Sequence, residues 1–545
     1  MVMQAKNLKH KKITIGPLPI IDAVLGKLGL LAILDAFVKN PRYSKAIIAL
    51  MKSMLVEPAA LYRIPEWARQ MDPESIGFDS DFDDDVLGRA LDKLFSVDRA
   101  SLQTRLTMQA VNKFEVDVSK IHNDSTTIKF YGAYDNQSPK SVKLKRGHSK
   151  DHRPDLKQVL YNLSITEDGG IPVHFKCYDG NVTDDTTHIE TWLTLRGMLG
   201  RADFLYVADC KLCTSSNMRK IDSEGGRFVT IVPRTRVEVG EFYEQASRGD
   251  VRWLPLTKKK SIRKRGRYDI FQVAEDPYQL AEGYRLFWYQ SSGKKLRDQD
   301  SRKQRIEISL EKLEQLQKKV RRGPKSEKAM LKAGQEILNR YKTTEWIEIE
   351  VRSRKKEIFK KTSAGKPGPD AVYRRKVNTV PYLVTKKNHD GIKRSATIDG
   401  IFPLTTNAKL NALDTLAAYK YQPNIEKRFS YAKSGYEIAP AFLKKTERIE
   451  SLTFACYMAD LVAALIQRNL RLAMTNQGIK ELKTLPEERS SSTPTWEQIQ
   501  RLFAHQCKYQ VIEKGEILRS FWDDLTERQS QVLELLEVPK ASYEG

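Results

Sequence analysis

Three carboxylates, far apart in the chain, have the type and setting that chemistry on a phosphodiester requires. Asp124 follows a β-like run in His122-Asn123-Asp124-Ser125-Thr126-Thr127. Asp209 follows another in Tyr206-Val207-Ala208-Asp209, and Glu426 falls in a helical stretch whose phrase ends at Lys433. Cleaving a phosphodiester takes an activated water or 3′-hydroxyl and a stabilised leaving oxygen. Two divalent ions about 3.5–4 Å apart supply both. Magnesium is hard and keeps several waters, so a few carboxylates suffice to hold it. Residue type alone leaves each position a plainer role. A strand-terminal aspartate can be a cap, and a glutamate in a first helical turn answers the helix dipole.

The elements that would position these groups follow from hydrophobic period and turn chemistry. Residues 1–115 read as a helical region. Gly16-Pro17-Leu18-Pro19 opens a helix with Ile21, Leu25, Leu28 and Leu31 at helical spacing, and 86–94 puts Leu87, Ala90, Leu91 and Leu94 on one face. The acidic run at 79–85 lacks the glycine (Asp84) and the glutamate (Ala90) of a calcium loop, so it predicts an N-terminal cap. Residues 116–234 change character. The run 118–124 reads as a strand closed by Asp124, and 159–165 and 171–177 read as a hairpin joined by Glu167-Asp168-Gly169-Gly170. A helix at 188–199 and short β runs at 204–208 and 228–232 follow, an α/β order with mixed sheet directions. Residues 235–390 interrupt this pattern with β-like pieces and a charged helix bearing Ile308, Leu310, Leu313 and Leu316. A strand at 396–404 and helices to 474 resume it in a segment spanning 391–475, and 476–545 reads as a helical tail.

A chain of 545 residues exceeds one core, so several domains are expected. Its formal net charge is +24, and 235–390 alone holds 39 Lys and Arg against 21 Asp and Glu, a surplus of 18. A field that clustered favours a polyanion, and nucleic acid is the one it fits best. The longest apolar runs, 18–38 and 452–466, carry Asp22, Lys27, Asp35 and Asp460 and read as buried helices, so no membrane partner is expected. No signal-peptide pattern opens the chain, and five cysteines make no disulfide framework, which points to a reducing cytoplasm. Cys210-x2-Cys213 lacks two further ligands for zinc. Walker A and Gly-x-Ser-x-Gly phrases are missing, so neither an ATPase nor a serine hydrolase is indicated.

The phrases around the carboxylates add specificity. Asn123-Asp124-Ser125-Thr126-Thr127 is followed by Gly147-His148-Ser149-Lys150-Asp151-His152-Arg153-Pro154-Asp155-Leu156-Lys157-Gln158 and by Asp179-Gly180-Asn181-Val182-Thr183-Asp184. Ala208-Asp209-Cys210-Lys211-Leu212 comes next, then Tyr419-x2-Gln422-x3-Glu426-x6-Lys433. In this order the set closely resembles the DDE transposases of bacterial insertion sequences. The subgroup is the cut-and-paste one, with a β-rich insertion between the second aspartate and the glutamate and a Tyr-x2-Arg-x3-Glu-x6-Lys signature. The resemblance covers roughly 118–234 and 396–470.

The resemblance implies an α/β fold: an RNase H-like catalytic core interrupted by the basic, β-rich insertion, with helical N- and C-terminal regions. Asp124, Asp209 and Glu426 would be catalytic and would hold two Mg²⁺ ions, for which Mn²⁺ can substitute. Tyr419, Gln422, Lys433, His148, Lys150 and Arg153 would contact DNA, and His152 belongs with the last three. The partners would be double-stranded DNA, both the element's terminal inverted repeats and target DNA, and a second copy in a homodimeric synaptic complex. The location would be bacterial cytoplasm, on the nucleoid. The helical 1–115 region would recognise the ends. Trp253, Trp288 and Trp346 in the insertion are packing residues or base-stacking platforms.

One departure stands out. Gln422 occupies the signature's arginine position, with Lys420, Lys427 and Arg428 as neighbours able to supply the charge. Pro423 disfavours a helical Gln422 and suits a first helical turn, and Glu426 and Lys433, seven apart, would share a helix face. A catalytically decayed transposase acting as a DNA-binding protein, or a related metal-dependent nuclease, stays open beside the main reading.

Overall fold

Runs of β-branched and aromatic residues bounded by turn residues form the strands. The computed structural model describes residues 8–78, 82–150, 153–183, 186–260, 268–275, 277–318, 324, 326–362, 364–435 and 443–544. In chain order the strands are β1 (Leu8–Thr14), β2 (Lys120–Phe130), β3 (Lys157–Thr166), β4 (Pro172–Asp179), β5 (Leu205–Ala208), β6 (Arg227–Ile231), β7 (Trp253–Lys260), β8 (Tyr268–Ala274), β9 (Tyr278–Gln279), β10 (Arg285–Ser291), β11 (Ile347–Lys361), β12 (Tyr373–Lys387), β13 (Ile401–Thr406), β14 (Cys507–Glu513) and β15 (Glu516–Trp522). The chain divides into two units, 1–230 with 406–545, and 231–405. The second unit is wider than the expected 235–390 block.

In the first unit the sheet runs β4-β3-β2-β5-β6. β2, β3 and β4 form an antiparallel meander, and β5 and β6 run parallel to β2. The β3–β4 turn is the hairpin expected from sequence, with Gly169 and Gly170 at φ of 75° and 66°. Parallel neighbours need crossovers. Helix His188–Leu199 supplies the one between β4 and β5, and helix Ser215–Ser223 the one between β5 and β6. A single apolar core joins the meander to the N-terminal helices and to helix Thr446–Asn476. That last helix is long and apolar enough to cross a membrane by length and composition, but 94% of its apolar window is buried in the fold. Phe175 of β4 stacks on its Tyr457 at 5.3 Å.

The acidic run before the 86–94 helix caps it as expected. The Asp83 side chain accepts from the Val86 amide at 2.7 Å, while Asp79, Ser80 and Asp81 lie outside the described residues. The first helix is shorter than its spacing suggests. It ends at Leu28, Gly29 turns left-handed, and Leu31 belongs to the next helix, where it is exposed. The C-terminal region is not purely helical. Its helices Trp496–Phe503 and Glu527–Leu535 flank the hairpin β14–β15, and β1 pairs with β14 from Leu8↔Glu513 to Thr14↔Cys507. Alternation over Tyr509, Val511 and Phe521 and the Lys514-Gly515 turn, both at positive φ, carry strand period there rather than helical period.

The second unit has its own sheet order, β13-β10-β8-β7, with β9 on β10. The expected strand at 396–404 starts later. Asn388 accepts from the Gly391 amide at 2.9 Å and caps helix His389–Thr397, so β13 begins only at Ile401. The unit is as helical as it is β. Helices Ser292–Lys318 and Glu327–Tyr341 pack on a separate ribbon, β11–β12, through Ile306, Leu313, Met330, Leu338, Ile347 and Leu383. Trp288 is core, 1% exposed and stacked on Phe242 at 3.8 Å. Trp253 meets the same Phe242 edge-on, and Trp346 donates its indole N–H to Ser395 at 2.7 Å. Trp288 is therefore closed to a base, and the other two are already engaged in packing or bonding.

Candidate active site

The two aspartates meet through strand register. β2 and β5 pair in parallel as Lys120↔Leu205, Ile121↔Tyr206 and His122↔Val207. Continued two steps, the same register sets Asp124 beside Asp209, on strands whose spacing is about 4.8 Å. Asp209 follows the last residue of β5, as expected. Asp124 does not close its strand. β2 runs on to Phe130, paired with β3 from Asp124↔Leu163 to Phe130↔Lys157. Ser125, Thr126 and Thr127 read as a turn-forming sequel, but small hydroxyl and β-branched residues also suit a buried strand, and all three are buried. It is the end of β5, not of β2, that opens the sheet at Asp124.

Both carboxylates are held by named partners. Asp124 Oδ1 accepts from the Ser125 amide at 2.7 Å and lies 3.8 Å from the Lys150 Nζ. That ammonium donates to the Ser125 carbonyl at 2.6 Å and to its hydroxyl at 2.9 Å. Asp209 Oδ1 lies 3.5 Å from His188 Nε2 and accepts from the Lys211 amide at 3.0 Å. Its backbone carbonyl accepts from the Thr230 hydroxyl of β6 at 2.6 Å. Burial works to raise the Asp209 carboxyl, but His188, the Lys211 amide and the nearby Lys150 outweigh it, leaving the group below the usual carboxylate range. Asp209 is therefore an anion at neutral pH.

The third carboxylate comes from a helix rather than a strand. Helix Ala412–Tyr419 lies over β5, with Tyr419 packed against the cluster of Leu205, Val207, Val229, Ala408 and Ala418. Burial first, then Asp209, the Cys210 thiol, Asp124 and Glu426, push the Tyr419 phenol well above its ordinary range, so the ring lies within electrostatic reach of all three carboxylates. Glu426 stands exposed in the first turn of helix Pro423–Ser430. Beneath that turn, Tyr421 rests on His122 at 4.8 Å, and burial pushes the His122 imidazole down to about 4.

The signature residues separate into two groups. Tyr419 is at the site. Gln422 is helical after all, with φ −46° and ψ −38°, because the preceding Tyr419–Tyr421 turn delivers it in that conformation despite Pro423. Its amide reaches inward and donates to the Asn123 carbonyl at 3.3 Å, and its buried Oε1 makes no well-formed bond. Gln422 thus braces β2 next to Asp124 instead of facing outward. Arg428 cannot replace the missing charge, since it is buried against Asp460 at 3.0 Å and donates to the Gly169 and Gly170 carbonyls. Lys433 does not continue the face of Glu426. The α-helix ends at Ser430 and a π turn spans Tyr431–Gly435, which breaks the expected seven-residue alignment.

Among the described residues of the His148 block, Lys150 alone is placed at a site aspartate. Arg153 forms a two-pronged pair with Asp155, at 2.8 and 2.7 Å. His148 is exposed, and its carbonyl accepts from Gln158. His152 lies outside the described residues. The phrase also has a structural office. Gln158 donates to the Gly180 carbonyl at 2.9 Å, and a Cβ on Gly180 would fall 2.0 Å from the Gln158 carbonyl. The two glycine phrases are therefore clamped together at the far end of β3.

His188 and Thr230 were not found from sequence. His188 is the first residue of its helix and 2% exposed, and nothing in its neighbours marks it as an aspartate's partner. Thr230 is one hydroxyl in an apolar run.

The donor chemistry of Asp124 and Asp209 suits a hard divalent cation, being two partly open carboxylates in register with Lys150 already neutralising one of them. The closed three-carboxylate set is not assembled. Among the described residues no three His, Cys, Asp or Glu side chains group closely enough to hold one ion. The same statement covers Cys210 and Cys213, of which Cys213 is buried beside Met218.

Residues 9–108 match a family described as a domain of unknown function, DUF4277. No curated protein matches the chain. Among solved structures, the chain is similar to the piggyBac transposase in its synaptic complex with hairpin DNA, with a TM-score of 0.36 and 8% identity, over 91% of this chain and 82% of that one.

Proposed function

We propose that this chain is a DDE-type DNA transposase, acting at the ends of an insertion sequence by metal-dependent strand cleavage and strand transfer. The observation that carries the reading is the parallel register of β2 and β5, which sets the aspartates of two distant phrases side by side under Tyr419 and the Glu426 turn. The meander followed by two parallel strands supports an RNase H-like core, and the surplus of positive charge in 235–390 supports DNA as the partner. A homodimer pairing two DNA ends and a nucleoid location belong to the same reading.

Asp124 and Asp209 would hold Mg²⁺ or Mn²⁺, with the exposed Glu426 side chain turning in to complete the set when DNA binds. The ions would supply the activated oxygen nucleophile and charge relief at the leaving oxygen. The remaining work falls to the chain. Thr230 holds the Asp209 backbone carbonyl, and buried His188 stands 3.5 Å from its carboxylate and limits how that side chain can turn. Lys150 balances Asp124 while the site is empty of substrate and is then placed to receive a phosphate oxygen. Tyr419 walls the site on the α side and keeps its phenol protonated, able to donate a hydrogen bond. Hydrolysis of one strand at the element's end would free a 3′-hydroxyl, and attack of that hydroxyl on the opposite or target strand would join them.

Cleavage of linear and supercoiled DNA carrying the gene's flanking sequence, with Mg²⁺ or Mn²⁺, tests this. Wild type should cut and Asp124→Ala should not. Equal cutting by both sinks the catalytic assignment. Inverted repeats beside the gene, within short direct duplications, would separate a mobile element from a host nuclease. A wild type that binds DNA without cutting it would favour the decayed, DNA-binding alternative, for which Gln422 is the specific hint.

A further inference from the structure

Helix Pro423–Ser430 has eight residues, no side-chain cap at its start and a π turn after it. A helix that short has little stability of its own, so its side chains decide where it lies. Ile425, Arg428 and Phe429 form its buried face. Phe429 meets Tyr161 of β3 edge-on at 6.3 Å. Apolar burial holds the helix down but is not directional.

Arg428 adds direction. Its Nε donates to the Gly170 carbonyl at 3.1 Å, its Nη2 to the Gly169 carbonyl at 3.3 Å, and its Nη1 to Asp460 at 3.0 Å. The glycines form the β3–β4 turn, and Asp460 belongs to helix Thr446–Asn476. One planar group thus ties the Glu426 helix to two elements. The turn is itself held from another side. Arg468 pairs with Asp168 at 2.6 Å and donates to the Phe114 and Glu115 carbonyls. Its stem lies 2.8 Å from where a Cβ on Gly169 would fall.

Stability alone does not call for this pair. The Arg428 and Asp460 side chains are each 5% exposed, and burial pushes the Asp460 carboxyl up to about 6 against the pull of Arg428. Apolar side chains of similar volume often fill such a place with no loss of stability. They cannot supply hydrogen bonds in a fixed plane. Arg428 follows Glu426 by two residues, about 200° round the helix. The helix is therefore gripped on one side and carries the exposed Glu426 on the other.

We infer that Arg428, braced by Asp460, is a positioning residue that sets the rotation of helix Pro423–Ser430 on the β3–β4 turn and so presents Glu426 to Asp124 and Asp209. The inference rests on the reading of those three carboxylates as one metal-holding set.

Two variants of the full chain test it. Arg428→Lys keeps a cation beside Asp460 but cannot span both elements. The double variant Arg428→Met, Asp460→Leu removes the pair without leaving a bare charge. Each should lower the turnover of Mg²⁺-dependent DNA cleavage roughly 30-fold and raise the half-saturating Mg²⁺ concentration about 10-fold. DNA affinity in EDTA should stay nearly intact, and the double variant should melt with wild type. Wild-type turnover and Mg²⁺ dependence in either folded variant would overturn the inference. A loss of DNA affinity as large as the loss of turnover would do so too. Failure of both variants to fold would make Arg428 a residue of the fold alone, which also overturns it.

Amide hydrogen exchange separates this inference from the transposase reading. The helix amides at 427–430 should exchange faster in Arg428→Lys than in wild type, with or without catalysis. That result in a protein that never cuts DNA would keep the grip of Arg428 on the helix and discard the transposase reading. Cutting that is lost in Glu426→Gln but indifferent to Arg428 would do the reverse.

Discussion

The two aspartates and the glutamate are held in different ways. Asp124 and Asp209 sit on strands whose flanking residues are almost wholly buried: Ile121, His122, Tyr206, Val207 and Ala208 are each 0% exposed. Glu426 rides on a helix of eight residues, capped by no side chain and followed by a π turn. Dry, hydrogen-bonded strands cannot move a carboxylate without breaking the sheet, whereas Glu426 is an exposed side chain on a helix anchored by buried Ile425, Arg428 and Phe429, so its rotamers can change while the helix stays. The sheet half is thus preorganised, and in the helical half the mobile part is the Glu426 side chain, not its helix.

Removing charge should cost most at either half, and it breaks the comparison if it does not. Asp209→Asn and Glu426→Gln should each reduce Mg²⁺-dependent DNA cleavage on the order of 10³-fold or more, since each forfeits several kcal/mol of charge stabilisation. Protein folding, followed by melting temperature, should stay within a few degrees for Glu426→Gln. If Glu426→Gln cuts like wild type, the helical half is not part of the site and two aspartates work alone.

The next effect tests the rigidity of the sheet half. A methyl at position 180 meets the Gln158 carbonyl at 2.0 Å and the Lys145 carbonyl at 2.5 Å, both backbone atoms that cannot step aside cheaply. Gly180→Ala should therefore destabilise by about 3 kcal/mol or more in urea unfolding. A loss under about 1 kcal/mol would mean that the far end of β3 is as yielding as the Glu426 turn.

Acid should also attack the sheet half first. Burial pushes His174 of β4, like His122 of β2, down to about 4. A histidine whose folded value lies below its unfolded value of about 6.5 stabilises the fold above that pH and loses the contribution as pH falls toward 4. Each such group is worth on the order of 3 kcal/mol between those limits. His174→Leu should accordingly flatten the loss of unfolding free energy between pH 7 and pH 4 by roughly that amount. An unchanged pH slope would place the acid lability elsewhere.

Smaller still is the effect of the aspartate's support. His188→Gln should lower the cleavage rate by roughly 10–100-fold while leaving DNA affinity nearly intact, the pattern of a residue that orients a ligand. A matching fall in DNA affinity with unchanged turnover would make His188 a contact residue instead.

What could be read in the sequence follows the same divide. The hairpin at Gly169-Gly170, the helix at 188–199 and the short β5 and β6 runs were legible because local period and turn residues specify them. The pairing of β2 with β5 was not, since parallel register across the 74 residues from 131 to 204 leaves no local trace. Asp209 was placed at a strand end correctly, while Asp124 was placed at one wrongly, because hydroxyl residues serve both turns and buried strands. His188 was missed for a related reason: its role comes from a helix packing over a strand end, and a helix-initial histidine looks the same with or without an aspartate beneath it. The β14–β15 hairpin was missed because a short charged tail with apolar residues fits two periods until β1 arrives to pair with it.

The smallest effect is expected at Gln422, where the sequence departs most from its resemblance. If this side chain served the substrate, as an arginine at its place is taken to do, Gln422→Leu would weaken DNA binding and Gln422→Arg would strengthen it. The structure gives it other work. Its hydrogen bond to the Asn123 carbonyl is long at 3.3 Å, and its buried Oε1 makes no well-formed bond, only a weak approach to the His122 imidazole. Losing a weak bond costs about 1 kcal/mol, and removing an unsatisfied buried carbonyl returns a similar amount. Gln422→Leu should therefore change unfolding free energy by less than about 1 kcal/mol, and DNA affinity by less than about 3-fold. Gln422→Arg should be the worse of the two for stability, because the guanidinium must either enter the space over His122 uncompensated or swing out and leave the Asn123 carbonyl unpaired. A tenfold tighter grip on DNA by Gln422→Arg, with unchanged stability, would show that position 422 reaches substrate, and the helical half would then be more open than its contacts with β2 allow.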